Sequence, residues 1–142
     1  MMMLTLALAF FAVPQAAAPG APPVVCATID TDLPAPLAGW TTTGTGMAMD
    51  RAFTLPATNG EASAAFTITQ AGRYRVGLDQ PGWIDIVREG KPLTSVAHGH
   101  GPNCTTIRKI VDFDFVPGNY TLKLTKLTKP RAKLMLVAPQ KE

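Results

Sequence analysis

Residues 64–78, AAFTITQAGRYRVGL, decide the fold expected for this chain. Apolar and polar side chains alternate on both sides of the short QAG segment at residues 70–72. A period of two places the apolar set on one face of a β-strand and the polar set on the other. The segment therefore predicts two half-buried strands joined by a turn.

The same pattern extends over the rest of the chain. Further strands are predicted at residues 24–29, 51–55, 83–87, 93–97, 104–115, 120–124 and 132–138. The 12 glycines and 13 prolines favour short strands and tight turns over long helices. We therefore predict an all-β fold, an antiparallel β-sandwich of the jelly-roll type with about eight or nine strands.

A repeated motif accompanies two of these strands. Residues 71–78 (AGRYRVGL) and 117–124 (PGNYTLKL) share the order small residue, Gly, any residue, Tyr, then alternating aliphatic positions. The glycine permits a positive φ in the turn, and the tyrosine is expected to bury its ring and return its hydroxyl to an upstream backbone group, as in a tyrosine corner. The repeat could mark two equivalent hairpins, one in each sheet.

This repeat, together with residues 83–93 (WIDIVREGKPL), resembles the β-sandwich of bacterial pre-peptidase C-terminal domains. The shared features are a strand, a Gly turn, a Tyr strand and an apolar-Asp-apolar strand that leads to a Gly-Lys turn, and they cover residues 60–125. The resemblance implies a non-catalytic accessory to exported enzymes. Our leading prediction is an exported, non-enzymatic binding or accessory module whose ligand is unknown.

The N-terminal segment indicates export. Residues 4–13, LTLALAFFAV, form an apolar run of about ten residues, too short for a bilayer that needs about 20 but typical of a secretory signal. We predict a signal peptide over residues 1–20, a single β-sandwich domain over residues 21–142, and a periplasmic or secreted location with no further membrane span. An uncleaved N-terminal anchor is the alternative.

The expected oxidation state of the two cysteines follows from that location. Cys26 and Cys104 are the only cysteines in the chain. An isolated pair in an oxidising compartment most often forms a disulfide, which we predict here in preference to two free thiols.

The two histidines are the strongest candidate for chemistry. His98 and His100 stand in HGHGPNC at residues 98–104, and imidazoles one residue apart can bind one metal ion. With a carboxylate they suit Fe, and with a thiolate they suit Cu; Zn is the third divalent candidate. A periplasmic metal-binding protein is therefore the first alternative function, with His98, His100 and Asp85 as its predicted ligands and Cys104, Asp112 and Asp114 as alternative third ligands. A flexible polar loop without metal is the other interpretation.

The same histidine pair resembles part of the first cupin motif, which iron dioxygenases such as the homogentisate dioxygenase family carry on a β-barrel. A cupin needs a Glu shortly after the pair and a distant third His. The chain has Pro102, Asn103 and Cys104 in the first position and only two histidines in all. A cupin-like dioxygenase is thus kept as a further alternative, and no catalytic residue is predicted.

The chain has a net charge of +3, and several of its basic residues are concentrated near the C-terminus. The residues concerned are Lys123, Lys126, Lys129, Arg131, Lys133 and Lys141. They could bind an anionic surface or polymer, or simply be a solvated strand face. Aromatic residues are not interleaved with them as single-strand binders require, so no nucleic-acid partner is predicted.

Two smaller interpretations concern the tryptophans and a pair of aspartates. Trp40 and Trp83 could form a sugar-stacking platform or pack in the core. Asp112 and Asp114 alternate on one strand and are expected to form surface charge pairs with Arg108 and Lys109.

Overall fold

The computed structural model describes residues 23–140, which form ten strands and one 3-10 helix. The helix spans Ala35–Thr41. The strands are β1 (Thr43–Gly44), β2 (Ala52–Pro56), β3 (Ala62–Ile68), β4 (Gly72–Leu78), β5 (Trp83–Arg88), β6 (Lys91–Pro92), β7 (Ala97–Gly99), β8 (Lys109–Phe115), β9 (Gly118–Thr125) and β10 (Arg131–Val137). The predicted all-β sandwich is confirmed. The predicted signal peptide lies outside the described residues.

Two sheets make up the sandwich. The six-stranded sheet has the order β1-β2-β10-β4-β8-β7, and the four-stranded sheet has the order β3-β9-β5-β6. The orders β2-β10-β4-β8 and β3-β9-β5-β6 are those of a jelly roll, and β1 and β7 add one edge strand each on the first sheet. The strand count exceeds the prediction because β1, β6 and β7 have only two or three residues, too few to show an alternation.

The core between the sheets is built from the inward-facing residues of the alternating strands. Phe115 lies at its aromatic centre, with ring centroids 4.7 Å from Tyr120 and 5.7 Å from Phe66. Ile84 and Ile86 of β5 and Leu122 of β9 are also buried there. Their strand neighbours consequently face solvent on the outer side of the four-stranded sheet.

The repeated Gly–Tyr motif forms the expected tyrosine corners. The Tyr74 hydroxyl donates to the Gln70 carbonyl at 2.7 Å, and the Tyr120 hydroxyl donates to the Val116 carbonyl at 2.7 Å. One tyrosine lies in each sheet, as predicted. The strands before them, β3 and β8, belong to the opposite sheet, so each motif ends a connection between sheets and not a hairpin.

A second hydrophobic cluster lies on the outer face of the six-stranded sheet. Residues 23–42, called the N-terminal strap here, place the 3-10 helix against β2 and β10, and Trp40 is fully buried. The cluster comprises Leu37, Trp40, Ala52, Ile107, Met135 and Val137. The prediction of a strand at residues 24–29 is wrong, because this segment belongs to the strap, where Val24 and Val25 remain exposed.

The predicted disulfide between Cys26 and Cys104 is present and fastens the strap. Beside it, Asp30 accepts the Thr106 amide at 2.7 Å and the Thr106 hydroxyl at 2.6 Å, and that hydroxyl accepts the Trp40 indole N–H at 2.9 Å. These contacts hold residues 104–106 in a turn, so β8 begins only at Lys109 and not at residue 104 as predicted.

Candidate binding surface

The two outer faces of the sandwich differ in what covers them. The strap packs on the six-stranded sheet, whereas the described residues form no hydrophobic cluster on the outer face of the four-stranded sheet. This uncovered face carries small polar side chains together with one large aromatic ring. Its outward positions are Ser63, Ala65, Thr67, Trp83, Asp85, Val87, Asn119, Thr121, Lys123 and Thr125.

Trp83 is the exposed aromatic residue of the described chain, with 54% of its surface accessible. Its position on β5, two residues before the outward Asp85, places the ring on the uncovered face. The indole Nε1–H donates to Asp85 Oδ1 at 3.0 Å, which fixes one edge of the ring. Trp40 is 0% exposed, so the two tryptophans do not form a joint platform.

Lysines surround the Trp83 ring. The Nζ atom of Lys109 lies 4.8 Å from the ring centroid and that of Lys126 lies 5.9 Å from it, both within cation–π distance. Lys123 faces Asp85 across the β5–β9 register. Within residues 23–140 none of these three lysines forms an ion pair. Trp83, Asp85, Lys109 and Lys126 are called the Trp83 platform below.

A groove of about 480 Å³ adjoins the platform through Lys109. The Lys109 ammonium donates to the Gly82 carbonyl at 2.7 Å, so it stands between the groove and the Trp83 ring. This basic groove contains no carboxylate among its described lining residues. They are Pro81, Gly82, His98, Gly99, His100, Arg108 and Lys109.

The structure places both predicted histidines at this groove. His98 lies in the edge strand β7, opposite Val111, and the predicted loop at residues 98–103 therefore begins with a short strand. His100 follows it, with Nδ1 3.4 Å from the Arg108 carbonyl oxygen. Both side chains are exposed.

Among the other predicted ligands, Asp112 lines a second pocket of about 410 Å³ together with both histidines, whereas Asp85 and Cys104 lie away from them. Asp85 lies on the other sheet and holds the Trp83 indole, while Cys104 is in the disulfide. Within residues 23–140, no three His, Cys, Asp or Glu side chains form a group that could hold a metal ion. A cupin-like centre needs such a group of ligands, and residues 23–140 do not form one.

The two alternative carboxylates, Asp112 and Asp114, are both held in ion pairs with arginines. Asp112 pairs with Arg75 at 3.2 Å and Asp114 with Arg73 at 3.1 Å. The expected pairing with Arg108 and Lys109 is wrong, because the β4–β8 register sets the two arginines directly opposite the two aspartates. The hydrogen bond that Arg73 donates to Asp114, together with the negative charge of Asp114, raises the pKa of Arg73 above its ordinary value.

The late basic residues are spread over the molecule. Lys123 and Lys126 lie near Trp83, whereas Lys133 Nζ lies 4.6 Å from the ring of Trp40 on the six-stranded sheet. Lys129 is 3.9 Å from Asp79, and Arg131 donates to the Thr54 hydroxyl at 2.8 Å. Lys141 is outside the described residues. The described members thus do not make one continuous patch along the C-terminal strands.

The class that the fold defines is a disulfide-linked jelly-roll β-sandwich. No helix within residues 23–140 has the length and apolar character needed to cross a membrane. No protein-family model matches the chain, and no curated protein matches its sequence. The resemblance to pre-peptidase C-terminal domains stays a prediction.

Proposed function

We propose that this chain is an exported, non-catalytic binding module that holds its ligand on the Trp83 platform. The observation that carries the proposal is the half-exposed indole of Trp83, oriented by Asp85 on a sheet face that no described segment covers. A rigid aromatic ring with few rotatable bonds loses little conformational entropy when a ligand covers it. Such rings are common centres of binding energy.

The disulfide supports the exported location, since an isolated structural disulfide forms and persists in oxidising compartments. Periplasm and extracellular space are the two such compartments open to a chain with the predicted signal peptide.

The contacts of three aspartates, Asp85 beside Trp83 and Asp112 and Asp114 on the other sheet, support a non-catalytic role. Asp85 accepts the Trp83 indole N–H, and Asp112 and Asp114 are paired with arginines. General acid–base catalysis needs a carboxyl or imidazole that reaches the reacting atoms with a suitable partner. These aspartates are committed to holding side chains in place.

Affinity electrophoresis through gels that contain single soluble polysaccharides, neutral and acidic, tests the proposal. At least one polysaccharide should retard the wild-type protein, and Trp83→Ala should remove the retardation. Val116→Ala is the matched control, because Val116 is a similarly exposed apolar residue away from the site, at 51%. No new reducing ends should form in the retarding polysaccharide.

Three results would overturn the proposal. These are migration unaffected by every polysaccharide, retention of Trp83→Ala equal to that of wild type, and release of reducing ends by the purified protein.

A further inference from the structure

We infer that the ligand is an acidic polysaccharide, with a sugar ring stacked on Trp83 and the carboxylate or sulfate groups of the chain bound by Lys126, Lys109 and the basic groove. This inference rests on the proposed function and adds the chemical class of the ligand.

The first step is the ring. The C–H face of a pyranose packs on an indole, and the charge of the π face attracts the weakly positive C–H groups. Trp83 is 54% exposed with its edge held by Asp85, and a sugar would stack on the part of the indole that the Lys109 ammonium, 4.8 Å from the ring centroid, leaves open. A ligand that stacks there would not have to pay for fixing the ring orientation.

The second step is the charge around the ring. Lys109 and Lys126 lie against Trp83, and Lys123 lies opposite Asp85 on the neighbouring strand. Glu61 lines a pocket with Lys123 and Thr125 on the same face, so three ammonium groups stand against two carboxylates and leave a positive excess of one. An anionic group attached to the stacked sugar would find these ammonium groups without a described ion-pair partner to displace.

The third step is the groove beside it. Arg108, Lys109 and the two imidazoles line it without an opposing carboxylate from the described residues. Because Lys109 borders both the groove and the ring, one extended chain could place a sugar on Trp83 and a neighbouring charged unit in the groove. A regularly charged polymer suits two adjoining subsites better than a single small anion does.

The fourth step separates a polysaccharide from other anions. Hydroxyl and amide groups of Ser63, Thr67, Asn119, Thr121 and Thr125 line the same face, and Thr67 already donates to Asn119 at 2.8 Å. These groups can exchange hydrogen bonds with sugar hydroxyls. An anionic membrane would favour an amphipathic surface with several apolar side chains, and this face offers one large aromatic residue.

Isothermal titration calorimetry with three soluble polymers tests the inference. The probes are polygalacturonate, dextran sulfate and uncharged dextran, each titrated into the full-length mature protein at two salt concentrations. At least one of the acidic polymers should bind, uncharged dextran should not, and the affinity should fall as salt rises. Polygalacturonate and dextran sulfate distinguish a carboxylate from a sulfate ligand.

Charge variants locate the site. Lys126→Gln should weaken binding about three- to fivefold, since it removes one ammonium group beside the stacked ring, and Lys126→Arg should restore it. Lys133→Gln is the matched control: it removes the same charge on the opposite face of the sandwich, next to Trp40. It should leave the affinity within about 1.5-fold, apart from the general effect of net charge. Circular dichroism spectra should be unchanged for all three.

Each other outcome is decisive. Equal binding of dextran and the acidic polymers, still dependent on Trp83, would overturn the inference and leave the proposed function standing. Equal weakening by Lys133→Gln would overturn it in favour of non-specific attraction. Binding to phosphatidylglycerol vesicles without binding to any polymer would also overturn it. Absence of binding to every polysaccharide and vesicle would contradict both proposals.

Discussion

Removal of the disulfide should lower stability strongly although it leaves both hydrophobic clusters intact. In the double variant Cys26→Ala, Cys104→Ala, the strap keeps the hydrogen bonds that Asp30 accepts from Thr106 and the packing of Trp40. What is lost is the constraint on the unfolded chain across a separation of 78 residues. The loop-closure model gives about 4.5 kcal/mol for a loop of this length, and strain or residual structure lowers the effect in practice. This is a large share of a typical unfolding free energy of about 5–15 kcal/mol.

Urea denaturation followed by circular dichroism and by tryptophan fluorescence measures the effect. We expect the unfolding free energy to fall by about 3–4 kcal/mol. The two signals should change together, because the fully buried Trp40 reports on the strap and the sheets dominate the circular dichroism. Wild-type protein treated with reductant should match the variant. A fall of less than about 1 kcal/mol would refute the reasoning, since the disulfide would then not limit the unfolded ensemble. So would early loss of the Trp40 signal in oxidised wild type, since the strap would then not fold cooperatively with the sheets.

Three further predictions concern local contacts. Gln80→Leu should lower the unfolding free energy measured by urea denaturation by about 2–4 kcal/mol. The fully buried Gln80 side chain accepts the backbone N–H groups of Thr128 and Lys129 and donates to the Arg131 carbonyl, and leucine can do neither. A loss below about 1 kcal/mol would contradict this. Gly101→Ala should cost about 1–3 kcal/mol, because the added Cβ would stand 2.1 Å from the Ile107 carbonyl oxygen; an unchanged melting temperature would be the contrary result. Burial raises the pKa of Tyr74 above its ordinary value of 10.0, and the negative charge of Asp50 adds a smaller increase. The folded state therefore holds that proton more tightly than the unfolded chain, and this contribution to stability is complete below pH 10 and lost as the pH rises through the folded pKa. Melting temperatures between pH 9 and 12 should fall less steeply for Tyr74→Phe than for wild type, and parallel curves would disprove the assignment.

The alternating strands could be predicted because period-two patterning directly records which face is buried. Residues 64–68 and 72–78 fall in β3 and β4 for this reason, and the tyrosine of each repeat forms the hydrogen bond its motif indicates. The cysteine pairing followed from the compartment that the N-terminal segment indicates.

The strap could not be predicted from local pattern. Val24 and Val25 are β-branched, and β propensity alone favours a strand there. The disulfide and the hydrogen bonds of Asp30, all made to residues more than seventy positions away, determine their course instead. For the same reason the segment after Cys104 is a turn and not the start of β8.

Only part of the Trp83 platform could be predicted from the sequence. The sequence indicates Trp83 as a stacking residue only together with Trp40, because nothing local distinguishes an exposed tryptophan from a buried one. Lys109 and Lys126 are far from Trp83 in the chain order, and only the sheet register and the β8 start bring their ammonium groups to its ring. A signal that could have helped is the set of small or polar residues at alternate positions, Ser63, Ala65 and Thr67 in one strand and Thr121, Lys123 and Thr125 in another, which marks a sheet face that stays in water.

The indole N–H signals in a ¹⁵N–¹H correlation spectrum test the central claim most directly, because the chain has two tryptophans and hence two such signals. Trp83→Phe identifies the exposed one. On titration with an oligogalacturonate or a sulfated dextran oligomer, the Trp83 indole signal should shift in a saturable way while the buried Trp40 signal stays in place. Saturable binding with an unmoved Trp83 signal, or equal shifts of both signals, would contradict the account.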